Sequence, residues 1–172
     1  KMGARFAKWR AVITIGQDIP SRACLEANAH ALARYAALCI EGGLVPIVEP
    51  EVLIDGDHTI ERCYAVTDET LHTVFEQLYR QGIIYDEMIL KPSMVISGQN
   101  SPTQATVEQV ADQTVECLLK NVPATVAGVA FLSGGQTIEQ ASEHLNLMNI
   151  KYKSQCPWQI TFSYARAIQK PA

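Results

Sequence analysis

No stretch of this sequence approaches the roughly 18 consecutive apolar residues that a membrane span requires, so a membrane partner is not expected. A basic excess is also missing. Lys and Arg number 14 against 18 Asp and Glu, a net charge of −4, which argues against a general nucleic-acid binder. Charged residues make up 19% and hydrophobic residues 48% of the chain, and that balance excludes disordered and collagen-like classes. There is no low-complexity stretch, no linker and no repeated sequence unit. A length of 172 residues suits one globular domain, and the whole of residues 1–172 is read as one.

Paired cysteines and clustered histidines are absent too. The five cysteines, Cys24, Cys39, Cys63, Cys117 and Cys156, are odd in number and form no CxxC pair. The first four lie in helix-like stretches and read as buried free thiols. That favours a reducing setting, the cytoplasm, with a plastid left open. His30, His58, His72 and His144 form no HxH or HxxxH set, so a zinc site is not expected. The first strand is followed by no G-x-G-x-x-G, and no GxxxxGK[ST] loop occurs, which removes the two commonest nucleotide-binding signatures.

What is present alternates. Phe6–Ile13 reads as a strand. Ser21 is a candidate helix cap, and Leu25, Ala29, Leu32, Ala36 and Cys39 then fall on one helical face. Gly42-Gly43 ends that helix, and Leu44–Val48 is a second strand closing at Glu49-Pro50-Glu51. A long helix from Ile60 to Gly82, a strand over Met88–Val95, a helix around Val107–Leu118 and a strand over Val126–Leu132 follow. A helix near Thr137–Met148, a strand over Trp158–Ser163 and a helix starting near Tyr164–Arg166 complete the pattern. Strands that alternate with helices predict a parallel α/β fold, and continuous apolar strands predict a sheet covered by helices.

Polar residues recur where these strands end. Lys8, Glu49, Lys91, Ser133 and Arg166 are separated by 41, 42, 42 and 33 residues, each step long enough for one strand, one helix and two loops. A (β/α)8 barrel needs about 250 residues for eight such units, and here there are five. An open doubly wound sheet of five strands is the alternative.

Lys8, Glu49 and Lys91 are ionisable groups on apolar strands, where an unpaired charge is costly to bury. A structural ion-pair network explains any one of them alone. Three on successive strands favour a shared site, because strand ends converge at one mouth of a barrel. Glu49 and Glu51 are two apart and face the same side of an extended strand, and paired carboxylates beside lysines can divide acid and ion-pair roles. A lysine that attacks a carbonyl near neutral pH must spend time unprotonated, which burial and a neighbouring cation both favour. Lys91 fits that position, with Lys8 as the neighbouring cation. Gly134 and Gly135 after Ser133 let backbone N–H groups approach an anion, ahead of a helix start. Arg166 could add its planar fork. Loops after the last two strands often bind phosphate in such barrels. On that count the strands bearing Lys8, Glu49 and Lys91 are strands four, five and six.

Five blocks then align with one family: Gly3-Ala4-Arg5-Phe6-Ala7-Lys8-Trp9-Arg10, Val45-Pro46-Ile47-Val48-Glu49-Pro50-Glu51, Leu90-Lys91-Pro92, Phe131-Leu132-Ser133-Gly134-Gly135-Gln136 and Phe162-Ser163-Tyr164-Ala165-Arg166. Over essentially all of its length the chain resembles class I fructose-bisphosphate aldolase, the Schiff-base, metal-independent type. The resemblance implies a (β/α)8 TIM barrel, of which this chain supplies strands four to eight. It implies reversible cleavage of fructose 1,6-bisphosphate to dihydroxyacetone phosphate and glyceraldehyde 3-phosphate, in glycolysis and gluconeogenesis. Lys91 matches the Schiff-base lysine and Glu49 the acid/base. Glu51 and Lys8 match the charged partners that tune the site. Ser133, Gly134, Gly135 and Arg166 match a phosphate site, and Arg10 lies near substrate in the family pattern. Implied as well are a phosphorylated sugar substrate, no cofactor beyond the lysine imine and no metal, and a homotetramer.

One departure is visible. Ala165 stands where the family pattern Ser-Tyr-Gly-Arg has glycine, at a peptide N–H that donates to phosphate; a methyl group fits there if φ is negative. The family's first three strands and its C-terminal tail have no counterpart in the sequence, so this stretch alone is expected to be unstable, inactive and open at both sheet edges. Two competing readings are a transaldolase-like Schiff-base enzyme and a non-catalytic aldolase-like scaffold that binds a protein partner. The aligned blocks weigh against the first and the intact charged residues against the second.

Overall fold

A computed structural model of the chain describes residues 3–169, with the side chains of Arg166 and Ala167 outside that description. Five strands and five helices alternate. The order is β1 (Phe6–Ile13), α1 (Arg22–Glu41), β2 (Val45–Val52), α2 (Ile60–Arg80), β3 (Ile89–Leu90), α3 (Val107–Asn121), β4 (Gly128–Phe131), α4 (Ile138–Tyr152), β5 (Ile160–Phe162) and α5 (Arg166–Gln169). A short 3-10 helix, Tyr85–Glu87, precedes β3.

The strands form one sheet in the order β1-β2-β3-β4-β5, every neighbouring pair parallel. This order separates the two architectures left open by the sequence. A doubly wound sheet reverses its strand order at a switch point and carries helices on both faces. Here the order never reverses, and α1 packs on α2, α2 on α3 and α3 on α4. Right-handed crossovers running in one direction lay all the helices on one face, which makes an arc of a (β/α) barrel.

The helices start where side chains can satisfy free N–H groups. Ser21, Thr59, Thr106 and Thr137 cap α1 to α4, and the last two form capping boxes with Gln109 and Gln140. The apolar stripe of α1 buries Leu25, Ala29, Leu32, Ala33, Ala36 and Cys39. It packs against the helix-facing side of the sheet, where Ala11, Ile13, Val48, Val52, Leu90, Val129 and Phe131 are all buried. The opposite sheet face carries Lys8, Arg10, Glu49, Glu51 and Lys91.

Several boundaries differ from those expected. Pro50 does not end β2, which runs on to Val52. Beyond Val48 the strand no longer ladders with β3, so a residue without an N–H interrupts pairing on one side only. β3 is two residues long instead of spanning Met88–Val95. Past Lys91 the segment is no longer strand, and side-chain hydroxyls take up backbone N–H groups there. The Val52 N–H donates to Ser93 Oγ at 2.8 Å and the Val95 N–H to Thr114 Oγ1 at 2.9 Å. All five cysteines are free, and Cys39, Cys63 and Cys117 are buried; Cys24 is only half-buried, because it lies beside the buried stripe of α1 that starts at Leu25. No helix among the described residues is long and apolar enough to cross a membrane.

Candidate active site

The strand register gathers the charged residues. Arg10 lies beside Glu49 and Val12 beside Glu51, while Ile47 pairs with both Lys8 and Ile89. In a parallel sheet, paired residues and those two along from them share a face, so Lys8, Arg10, Glu49, Glu51 and Lys91 project to the same side. Lys91 is the first residue past β3 and is fixed there by its N–H, which donates to the Val48 carbonyl at 2.8 Å. Pro92 follows, and its carbonyl accepts from the Leu132 N–H at 3.2 Å. The lysine backbone is thereby tied to both neighbouring strands.

Glu49 sits between two ammonium groups. Its Oε1 is 3.2 Å from Lys91 Nζ and its Oε2 is 2.8 Å from Lys8 Nζ. The Lys8 contact is charge pairing rather than an aligned hydrogen bond, since Oε2 has no donor in hydrogen-bonding direction. Glu49 and Lys91 are 3% and 6% exposed, whereas the Lys8 side chain is 44% exposed. The arrangement is one buried carboxylate holding one buried and one accessible cation. A buried, paired lysine beside a carboxylate has the components of nucleophilic catalysis with an adjacent proton carrier. Next along β2, Glu51 is also buried and accepts from the Arg10 Nε–H. That hydrogen bond, followed by desolvation in the opposite sense and the charges of Glu51 and Glu49, raises the Arg10 pKa further above its ordinary value. Arg10 is a permanent cation at this rim.

These side chains line a cavity of about 400 Å³ together with Leu132, Ser133, Gly134, Ser163 and Ala165. Its far wall is a tight turn after β4. The Gln136 N–H closes it onto the Ser133 carbonyl at 3.0 Å, and Gly134 and Gly135 adopt φ of +59° and +98°, conformations that L side chains rarely take. Space is short here as well. A Cβ on Gly134 would lie 2.9 Å from Leu132 Cδ1, and one on Gly135 would lie 3.2 Å from Ile54 Cδ1.

Of the residues singled out in the sequence, Lys8, Arg10, Glu49, Glu51, Lys91, Ser133, Gly134 and Ala165 line this one cavity. Gly135 stands directly behind Gly134 in the turn. Arg166 opens α5 immediately after Ala165, but its side chain lies outside the described part. Ala165 has no positive φ, which meets the condition for a methyl group at that position. Sequence reasoning missed Ser163 and Leu132 as lining residues. Ser163 follows Thr161 on the cavity side of β5, so period-two alternation could have found it. The helix expected near Thr137 begins at Ile138, with Thr137 as its cap. No three His, Cys, Asp or Glu side chains come together as a metal ligand set among the described residues.

Comparison with known proteins places this geometry in context. The family model described as fructose-bisphosphate aldolase class-I matches residues 1–172. A probable fructose-bisphosphate aldolase class 1 of Xanthomonas campestris is 60% identical over 171 residues, covering 99% of this chain and 51% of that protein. The fructose-bisphosphate aldolase of Dictyostelium discoideum is 50% identical, covering 97% and 47%. A solved structure of fructose-bisphosphate aldolase from Plasmodium falciparum, in complex with TRAP and a small molecule inhibitor, superposes with a TM-score of 0.94 at 44% identity, over 98% of this chain and 49% of that one. The chain spans about half the length of the curated relatives it matches.

Proposed function

The chain belongs to the class-I fructose-bisphosphate aldolase family, and from that premise we propose that it forms the catalytic side of an eight-stranded barrel, as its strands four to eight. Residues 1–172 act as one domain there. The reaction is reversible cleavage of fructose 1,6-bisphosphate through a lysine imine, a step of glycolysis and gluconeogenesis, with no metal or dissociable cofactor. The observation that carries the reading is the Lys8–Glu49–Lys91 arrangement, with Glu49 within 3.2 Å of both ammonium groups.

Lys91 first passes its ammonium proton to Glu49; the freed nitrogen lone pair attacks the C2 ketone, and Glu49 gives that proton to the departing hydroxyl, leaving an iminium and water. The iminium is the electron sink. As a base takes the C4 hydroxyl proton, the C3–C4 bond breaks and its electron pair moves into an enamine. Glyceraldehyde 3-phosphate leaves. Protonation at C3 and hydrolysis release dihydroxyacetone phosphate and return Lys91. Lys8 holds Glu49 as a carboxylate partner between proton transfers, and Glu51 fixes Arg10 at the rim. One substrate phosphate is held by Ser133, the Gly134 and Gly135 N–H groups, the Ala165 N–H and Arg166. Aligned peptide donors at such a turn favour an anion. The working protein is a homotetramer of the cytoplasm.

The test is cleavage of fructose 1,6-bisphosphate by the full-length protein in the presence of EDTA. The reading expects turnover that the chelator leaves intact and Lys91→Met abolishes. Turnover lost to EDTA, or retained by K91M, overturns it.

A further inference from the structure

The turn that carries the two glycines is held from behind by a buried pair of side chains. Gln136 folds back on its own turn, and its Nε2–H donates to the Ser133 carbonyl at 3.1 Å, the same oxygen that accepts the Gln136 backbone N–H. The amide nitrogen also rests 3.6 Å from Met94 Sδ. With the amide oriented that way, its Oε1 points into α4, where His144 Nδ1 lies at 2.7 Å. Only a protonated Nδ1 can complete that contact, because amide oxygens accept and do not donate. Gln136 and His144 are both buried. Burial, only partly offset by the charge of Glu143, holds the imidazole below its ordinary pKa, so the ring stays neutral with its proton on Nδ1.

We propose that Gln136 and His144 are positioning residues for the anion site: His144, two turns into α4, locks the Gln136 amide, and the amide locks the Ser133 carbonyl, which shares its peptide plane with the Gly134 N–H and so fixes that donor's direction at the entry to the turn. Neither side chain touches substrate. The inference rests on the reading that this turn binds a substrate phosphate. Its physical basis is the asymmetry of buried hydrogen bonds. A satisfied one contributes modestly, but removing the His144 N–H strands the buried Gln136 oxygen without a donor. The amide is then free to rotate, and its oxygen would repel the Ser133 carbonyl.

The test is the dissociation constant of inorganic phosphate for the full-length protein, measured by equilibrium titration for wild type, H144L, H144N and Q136M. H144L and Q136M are expected to weaken phosphate binding about tenfold, the scale of one stranded buried acceptor. H144N supplies an N–H from a shorter side chain and is expected to recover most of that loss. Wild-type affinity in H144L or Q136M overturns the proposal, as does equal weakening in H144N and H144L, and as does a wild type that binds no phosphate. If H144L does not fold, the contrast between Q136M and H144N decides. Borohydride trapping on Lys91 is a separate measurement. A protein that binds phosphate through this brace but forms no imine keeps the present inference and loses the aldolase reading, and the reverse result does the opposite.

Discussion

The two walls of the cavity are built on different principles. On β1 to β3 the polar surface is carried by side chains, a buried carboxylate lying 2.8 and 3.2 Å from one accessible and one buried ammonium group. On the β4 side it is carried by main chain, a turn with two glycines at positive φ braced by neutral side chains. The first wall stores its function in residue identity and the second in backbone conformation. They should therefore fail differently. Damage to the charged wall should remove chemistry and stability together, whereas damage to the turn should mainly remove affinity.

The sharpest way to break the charged wall is Glu49→Gln. It leaves Lys91 buried without its counter-charge, and breaking a buried pair in this way costs about 3–5 kcal/mol. Losing a positioned proton carrier costs a further factor of about 10²–10⁴ in kcat. Denaturant melts and steady-state kinetics read both effects. The double variant E49Q/K91M should recover much of the stability and none of the activity. A single E49Q that costs under about 1 kcal/mol would mean the pair is not a buried electrostatic unit.

The matching cut in the turn is Gly135→Ala. A left-handed φ costs a non-glycine residue about 1–2 kcal/mol, and the methyl group meets Ile54. Phosphate-bearing substrate should bind roughly tenfold more weakly, with kcat changed less than the KM. An equal fall in kcat would show that the turn also takes part in the bond-breaking step.

A smaller effect should appear on acidification. Burial lowers the pKa of both His58 and His144; Asp57 opposes the shift at His58, while Arg62 reinforces it. Neither ring nitrogen of His58 has a partner among the described residues. His58 belongs to the loop that zips onto residues 98–100, with the Gly98 N–H donating to the His58 carbonyl at 2.8 Å. Ile54, from the same loop, packs behind Gly135. A histidine whose folded pKa lies below its unfolded value takes up protons on unfolding. Stability is therefore full above the unfolded value, near 6.5, and is lost as pH falls below it toward the depressed folded value. Thermal melts between pH 7.5 and 5 should show this loss, and a H58N/H144N double variant should flatten it. An identical pH slope in the variant would assign the loss to other groups. Smallest of all should be Ala165→Gly, because the native φ is not positive. It is expected to change phosphate affinity less than about threefold, and a larger gain would mean that the methyl group obstructs the site.

The same division explains what could be read from the sequence. Lys8, Glu49 and Lys91 announced themselves because a charge on an apolar strand has few structural uses, and their spacing of about 42 residues gave the βα unit. The bounds of β1, the Ser21 cap and the apolar stripe of α1 followed from local rules. Ser133-Gly134-Gly135 was legible as a tight turn at a strand end because glycine marks it. Its support was not. Gln136 and His144 are eight residues apart and ordinary in type, and their meeting depends on how the turn folds back on α4. The end of β3 was misplaced for a related reason. Extended apolar sequence from Met88 to Val95 looks like a strand, but whether it ladders with its neighbours, or offers the Ser93 hydroxyl to the Val52 N–H and its own Val95 N–H to the Thr114 hydroxyl, is decided by tertiary contacts. Pro50 misled in the opposite sense, since one-sided pairing tolerates a proline inside a strand.

The central claim is that the buried lysine of the charged wall is the nucleophile. Borohydride reduction of the full-length protein in the presence of dihydroxyacetone phosphate, followed by peptide mass mapping, tests it most directly. The account predicts one stoichiometric covalent adduct on Lys91 and none on Lys8, although Lys8 is the more exposed of the two lysines on Glu49. No adduct, or an adduct on Lys8 with Lys91 unmodified, would contradict it.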